Sequence, residues 1–393
     1  MKIVHKIRLE PTVKQFILFN KSAGVARFSY NWALAKWNEL YEAGEQTSEI
    51  SLRKQLNSIK KVDFPWMYEV SKTCPQQAIK NLGDAFGRFF KKKSKYPNFK
   101  KRGIHDSFRA DNGPGTFSIT GNKIKLLKLG IVKLSENLRF TGKLMSATVS
   151  RRAKHWYVSV LIETEVKPVT HKNQGVVGVD LGIKSLAILS NGEVFENPKA
   201  LRRNLCRLKR MQRRVSRKVK GSYNRRKEIQ KLATLHAKIR FIRQDILHKL
   251  TMHLAKDFKT IVIEDLNVKG MVKNHCLAQA ISDVGWGEFR RQLVYKCDWY
   301  GSELIVADRF FASSKTCSAC SFYYGDLTLD IREWVCPCCG ILHDRDGNAS
   351  QNLKQIGTVR PESTPVEMEA LAVSNNSETI VCETGISLWH KTP

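Results

Sequence analysis

Two closely spaced cysteine pairs, Cys317-Ser-Ala-Cys320 and Cys336-Pro-Cys338-Cys339, lie in one short stretch of this 393-residue chain. They restrict what that stretch can become more than any other feature. Each CxxC turn brings two thiolates to one ion, and two such turns complete a tetrahedral site with four sulfur ligands. The expected ligands of one structural Zn²⁺ are Cys317, Cys320, Cys336 and Cys339. Cys338 is the alternative to Cys339, although it stands too close to Cys336 for the usual turn. Gly340 follows the second turn, where a flexible residue relieves the backbone, whereas Ser321 follows the first. Four thiolates leave no open coordination position, so this zinc is expected to shape the chain rather than to react. The remaining cysteines (Cys74, Cys206, Cys276, Cys297 and Cys382) are scattered singly, which does not suggest a disulfide framework.

Charge narrows the partners. The chain carries 67 Lys and Arg against 36 Asp and Glu, a formal net charge of +31. A fold with that imbalance repels itself unless a polyanion compensates, and nucleic acid does so with release of condensed counterions. An anionic membrane surface would attract the same charge. No segment is long and apolar enough to span a bilayer, however, and the opening MKIVHKIRLEP lacks the apolar core of a signal peptide. A cytoplasmic protein is expected.

Hydrophobic periodicity divides the chain. KIVHKIRL alternates as a half-buried strand does, and residues 12 to 90 change to helical spacing, with Tyr30, Trp32, Phe86 and Phe89 expected in the core. A basic run follows, with Lys91, Lys92, Lys93, Lys100 and Lys101 interleaved with Tyr96 and Phe99. Such a run is either a solvated face or a nucleic-acid contact, and the aromatic interleaving favours contact. Residues 107 to 166 read as short strands with glycine turns, a pattern that suits a small antiparallel barrel, with KIVHKIRL as its first strand and the helical segment as an insertion. Residues 168 to 174 read as a linker. From Gly175 three strands are expected, then a long basic helical stretch over 199 to 253, the strand TIVIEDL, a helix over 279 to 300, the strand SELIVAD and a final helix. That order suits an α/β sheet of ribonuclease H type. Arg202, Arg203, Arg207, Arg210, Arg213, Arg214 and Arg217 dominate the first half of the basic stretch, above an apolar stripe of Leu201, Leu205, Leu208 and Met211. They are expected to face nucleic acid. Residues 358 to 393 lack periodicity and read as a disordered tail.

Three acids stand apart from this basic background. Asp180 ends the apolar strand GVVGVD, Glu264 ends TIVIE, and Asp346 lies in HDRDGNASQNL at the start of a helix. Strand ends of open α/β sheets are where catalytic groups gather. Three converging carboxylates can hold two Mg²⁺ ions for phosphodiester hydrolysis, because Mg²⁺ prefers oxygen ligands. Each acid also has a plainer reading: Asp180 and Glu264 as strand-ending turns, Asp344 and Asp346 as helix caps. Asp344 could also serve in place of Asp346.

The ordered set GVDLGIKSLAILSNG, IVIEDLNVKGM, SSKTCSAC, REWVCPCCG and HDRDGNASQNL resembles the TnpB family, transposon-encoded relatives of type V CRISPR effectors. AGVARFSYNWAL and YPNFKKRG extend the resemblance to nearly the whole chain. It implies a multidomain α+β fold: a wedge-like β-barrel (residues 1–11 and 105–172) with a helical recognition insertion (12–104), then an RNase H-like (RuvC) nuclease domain (173–312 and 343–357) with an inserted zinc ribbon (313–342). It implies a guide RNA from the transposon end and Mg²⁺-dependent cleavage of double-stranded DNA beside a short transposon-adjacent motif. It matches Asp180, Glu264 and Asp346 to the three nuclease acids, with Asn348 and Asn352 orienting the helix and the acids rather than binding metal. Ser350, Ser321 and Ala312 depart from the family pattern without removing a ligand or an acid. Delegating recognition to guide pairing also suits a protein of this size. The competing readings are a transposase or integrase, a guide-directed repressor without cleavage, and a zinc-ribbon regulator that binds DNA without RNA.

Overall fold

A computed structural model describes residues 1–104, 106–111, 113, 115–165, 171–328 and 330–358. The tail expected over 358–393 therefore lies outside the described residues beyond Thr358, as do residues 168–170 of the linker expected at 168–174; its last two residues, Asn173 and Gln174, instead begin a strand. The chain forms two compact units that divide at residue 165.

The first unit opens with strand β1 (Lys2–Glu10), then helices α1 (Val13–Glu42), α2 (Glu49–Ile59) and α3 (Thr73–Phe90). Thr12 and Gln15 start α1 with a reciprocal cap: the Gln15 N–H donates to Thr12 Oγ1 and the Thr12 N–H to Gln15 Oε1. Strands β2 (Ser107–Asp111), β3 (Phe117–Thr120), β4 (Lys123–Leu126), β5 (Gly130–Leu134), β6 (Lys143–Arg152) and β7 (His155–Glu163) follow. All seven strands form one antiparallel sheet in the order β2-β6-β7-β1-β5-β4-β3. Since β1 lies between β7 and β5, the three helices leave and re-enter the sheet as one insertion. A single core joins them to it: Phe19 of α1 meets Trp156 of β7 at 5.3 Å and Phe108 of β2 at 5.9 Å between ring centroids. Tyr30 and Phe86 are buried and Trp32 and Phe89 pack half-buried against this core, so all four aromatics are structural.

The second unit begins with β8 (Asn173–Asp180), β9 (Ser185–Leu189) and β10 (Val194–Glu196). Next come α4 (Ala200–Ser216), α5 (Tyr223–Asp257), β11 (Phe258–Ile263), the short α6 (Val268–Met271), α7 (Ala278–Val284), α8 (Trp286–Tyr300) and β12 (Glu303–Val306). The hairpin β13 (Glu333–Val335) and β14 (Leu342–Asp344) and the helix α9 (Arg345–Thr358) complete it. The main sheet runs β10-β9-β8-β11-β12, with β11 parallel to both neighbours. The continuous apolar run of β11 follows, since a strand paired on both sides and covered on both faces has no solvent face.

Two expected helices are each broken. The basic stretch over 199–253 is a helical pair, interrupted between Arg217 and Ser222, where the Ser222 side chain caps α5 by accepting from the Arg225 N–H. The stretch over 279–300 divides at Gly285 into α7 and α8. Leu208 and Met211 are buried against Leu235 and Ile239 of α5, so the apolar stripe is real and its partner is the second helix of the pair. Among the described residues, no helix is long and apolar enough to cross a membrane.

The N-terminus of α4 is held from far away. Lys199 makes no side-chain cap there. Instead, the buried Asp283 of α7 accepts from the Leu201 N–H at 2.9 Å and the Arg202 N–H at 3.2 Å, and pairs with Arg243 of α5 at 2.9 Å. A carboxylate at a helix N-terminus satisfies orphan donors and complements the helix dipole. Asp283→Ala is expected to cost about 2 kcal/mol, since it uncaps α4 and unpairs Arg243. Asp283→Asn, which keeps an acceptor, should cost less. Thermal unfolding of the two variants measures the difference.

Candidate active site

The centre is built by parallel pairing. Val179 of β8 stands beside Ile263 of β11, so the next residues, Asp180 and Glu264, leave the sheet side by side at the same end. The third acid arrives on α9, which crosses the face of β8. This crossing requires Gly178: a Cβ there would lie 2.0 Å from the Ser350 carbonyl oxygen and 2.5 Å from the Lys354 nitrogen. The close approach sets the first turn of α9, with Asp346, over the strand ends.

Asp344 ends β14 and Asp346 stands in the first turn of α9, and both raise Asp180, Asp346 more than Asp344. Asp344 caps the helix, its Oδ1 accepting from the Gly347 N–H at 2.7 Å. Asp346 stands in the first turn and acts electrostatically on both other acids. Burial pushes the carboxyl of Asp180 well above the usual carboxylate range, and the charges of Glu264 and Asp346 push it further, against a smaller opposing effect of Arg345. Burial also raises Glu264, partly opposed by the Ser313 hydroxyl, which donates to Glu264 Oε1 at 2.6 Å. Like charges forced together in a dry site are costly, and a bound cation would relieve them. The donor set is all oxygen, which suits Mg²⁺.

The four expected cysteine ligands converge: the sulfurs of Cys317, Cys320, Cys336 and Cys339 all lie within 4.8 Å of one another. The Cys317–Cys339 pair is 3.7 Å apart and Cys320–Cys336 3.5 Å. Tetrahedral zinc with ~2.3 Å bonds to sulfur places its ligands ~3.8 Å apart, so the cluster has the size of a zinc site. Cys338 is exposed and outside the cluster. The two turns are equivalent: the Ser321 N–H donates to the Cys317 carbonyl and the Gly340 N–H to the Cys336 carbonyl, each at 2.9 Å. Both closing residues are left-handed, Ser321 at φ +63° and Gly340 at φ +71°, so Ser321 carries a conformational cost that its glycine counterpart avoids. Burial raises the Cys336 thiol, but the Cys339 and Cys338 N–H groups and nearby thiols outweigh it and hold it at about 7. His343 Nε2 lies 3.0 Å from Cys317 Sγ, within reach to donate to the thiolate.

Periodicity could not reveal how the cluster is tied to the acids. Asn348 and Asn352, one turn apart on α9, both donate to the Thr316 carbonyl, at 2.7 and 2.6 Å. Asn352 also donates to the Ser313 carbonyl at 2.7 Å, and the Ser318 N–H donates to Asn348 Oδ1 at 2.9 Å. The segment entering the first cysteine turn is thus clamped to the helix bearing Asp346, and its Ser313 hydroxyl is held on Glu264. Sequence reasoning also missed Arg332, whose Nη1 lies 3.3 Å from Asp346 Oδ1, and Arg345, which is buried and donates to the Thr328 carbonyl.

The basic residues divide by environment. Arg202, Arg203, Arg207, Arg210, Arg213, Arg214 and Arg217 are all exposed on or just after α4. Lys91, Lys92, Lys93 and Lys101 are exposed in the first unit. Lys100 differs: its ammonium lies 3.9 Å from the Tyr30 ring centre, and burial lowers it to about 8. It is a packing residue as much as a charge.

The fold and this constellation define a class: α+β proteins with mixed sheets and a cysteine cluster of zinc size inserted before the last helix. The chain superposes on the Cas12f1 protein of a Cas12f1–sgRNA–target DNA complex with a TM-score of 0.52 over 90% of this chain and 98% of that one, at 14% identity. Three family models match: "Probable transposase" over residues 159–275, "Cas12f1-like, TNB domain" over 286–353 and "Helix-turn-helix domain" over 1–46. In the last region the structure has β1 and the single long helix α1. A protein of Streptomyces pristinaespiralis named "Putative RNA-guided DNA endonuclease" is 40% identical over 91% of this chain and 90% of its own length. The Escherichia coli K12 protein "Putative RNA-guided DNA endonuclease InsQ" is 34% identical over 90% of this chain and 91% of its own. The chain belongs to the TnpB family.

Proposed function

We propose that this protein is an RNA-guided DNA endonuclease encoded by a transposon, which cuts double-stranded DNA beside a short adjacent motif under direction of a guide RNA from the transposon end. The observation that carries the reading is the convergence of Asp180, Glu264 and Asp346, mutually coupled and half-buried, in a chain of net charge +31. Two Mg²⁺ ions held there would activate a water and stabilise the leaving 3′ oxygen. The chain's own residues set the stage. β8 and β11 fix two carboxylates side by side, α9 brings the third, the Ser313 hydroxyl holds Glu264, and Arg332 pairs with Asp346. In this reading residues 1–11 and 105–172 are the wedge-like barrel, 12–104 the recognition insertion, 173–312 and 343–357 the RuvC-type domain and 313–342 the zinc ribbon. The exposed arginines of α4 and the lysines after α3 would follow the backbone of RNA or heteroduplex by charge.

The test is cleavage of a guide-matched plasmid library with randomised flanks, in Mg²⁺, by protein purified with RNA from its own locus. Cleavage tied to one flank and lost in Asp180→Ala supports the reading. Joined transposon ends instead of hydrolysed ones would favour a transposase. Guide-dependent binding without cleavage would favour a repressor, and absence of bound RNA would sink the proposal.

A further inference from the structure

The turn between β12 and the first cysteine pair presents an aromatic side chain to solvent from an unusually well-anchored base. Phe310 is 89% exposed and its neighbour Phe311 38% exposed. On one side, Arg309 Nη2 donates to Asp265 Oδ2 at 2.5 Å, and Asp265 Oδ1 accepts from Arg290 Nη1 of α8 at 2.5 Å. On the other, Ser313 is held by Glu264 and Asn352. Within the turn, the Phe310 N–H donates to Asp308 Oδ1 and the Ser313 N–H to the Phe311 carbonyl. The tip is therefore tied to two consecutive residues, Glu264 and Asp265, and Phe310 lies no more than about 11 Å of chain from Ser313.

A large apolar ring held in water by a fixed turn gains nothing from the fold, yet one face of it is free to stack. Asp265 and Asp308 balance the charges of Arg290 and Arg309, but the two arginine side chains stay 41% and 51% exposed with further N–H donors to offer, so the complement of the spot is a flat, apolar surface attached to a backbone of accepting oxygens. Unpaired bases of single-stranded nucleic acid have that form, and base–aromatic stacking tolerates any sequence. We propose that Phe310 is a stacking perch that receives one unpaired base of the DNA strand entering the centre, with Arg309 and Arg290 on the adjoining phosphates. This rests on the nuclease reading and adds to it a residue that positions the strand. Asp265 is the positioning residue behind it, since it aims both arginines.

Two measurements on the full-length protein with its copurified RNA test the perch. The first is affinity for a single-stranded oligo-dT at raised salt, where backbone attraction is screened. Phe310→Ala should weaken binding roughly tenfold and Phe310→Tyr should leave it near wild type. The second is photocrosslinking to the same strand carrying 5-iododeoxyuridine, read by mass spectrometry. The crosslinked peptide should contain Phe310, and the crosslink should vanish in Phe310→Ala and persist in Phe310→Tyr. Unchanged binding, or crosslinks that map only elsewhere, overturns the proposal. Guided cleavage by the same wild-type preparation separates the two readings. Cutting without a Phe310 crosslink removes the perch alone, and a Phe310 crosslink without cutting removes the endonuclease reading alone.

Discussion

Asp180→Asn is expected to abolish DNA cleavage, by about 10³-fold or more, while making the metal-free protein more stable. Both effects have one cause. Asp180 is half-buried; its desolvation raises its carboxyl above the usual range, and two neighbouring acids push it further. The folded state therefore binds protons that the unfolded state releases. The stability associated with Asp180 and Glu264 is fully present below the ordinary carboxylate values near pH 4 and is lost as pH rises through their higher folded values. Without divalent metal, the melting temperature of the second unit should fall with rising pH in the wild type and fall less in Asp180→Asn. At neutral pH the variant should melt higher, by ~2–4 °C for each kcal/mol relieved. Millimolar Mg²⁺ should raise the wild type more than the variant, because a cation removes the same repulsion. Calorimetry with and without Mg²⁺ measures all of this. A variant that melts lower than wild type in metal-free buffer at neutral pH would contradict the account.

Removal of zinc is expected to silence the protein although none of the four cysteines touches the proposed chemistry. Thiolate sites of this kind contribute on the order of 10 kcal/mol to folding the segment that bears them. A zinc-selective chelator, used in excess Mg²⁺, should release one zinc per chain, measured by elemental mass spectrometry. Cleavage should fall at least about 10²-fold, because the clamp that runs from the Thr316 and Ser313 carbonyls through Asn352 loses its far side and the Ser313 hydroxyl no longer fixes Glu264. Cys336→Ser should behave alike. Asn352→Ala should retain zinc yet lose part of the activity, which separates the link from the ion. Full cleavage by zinc-free protein would refute the coupling.

What the residues disclosed in advance depended on range. Alternation in KIVHKIRL and the apolar runs before Asp180 and Glu264 are local, and strands stand there. The cysteine spacing was enough to choose Cys339 over Cys338. The breaks in the basic stretch and at Gly285 were missed because charge and apolar stripe continue across them, although Gly221-Ser222 carried a stop-and-cap signal. The long-range ties left no trace in pattern. Nothing in periodicity says that Asp283 caps a helix that begins over eighty residues earlier, or that Asn348 and Asn352 bond to carbonyls rather than to acids. Lys100 looked like its basic neighbours because its partner, Tyr30, is remote in sequence.

The crossing of α9 over Gly178 also sets an order in time. The third carboxylate belongs to the last helix described, and it reaches the other two only when that helix lies against a strand made more than 160 residues earlier. During synthesis, a growing chain can display its positive surface long before Asp346 leaves the ribosome. A ribosome that stalls, or a message cut short, thus yields a polypeptide able to attract nucleic acid but missing one of its three acids. On the proposed reading such incomplete copies would bind without cutting, a consequence of chain order alone.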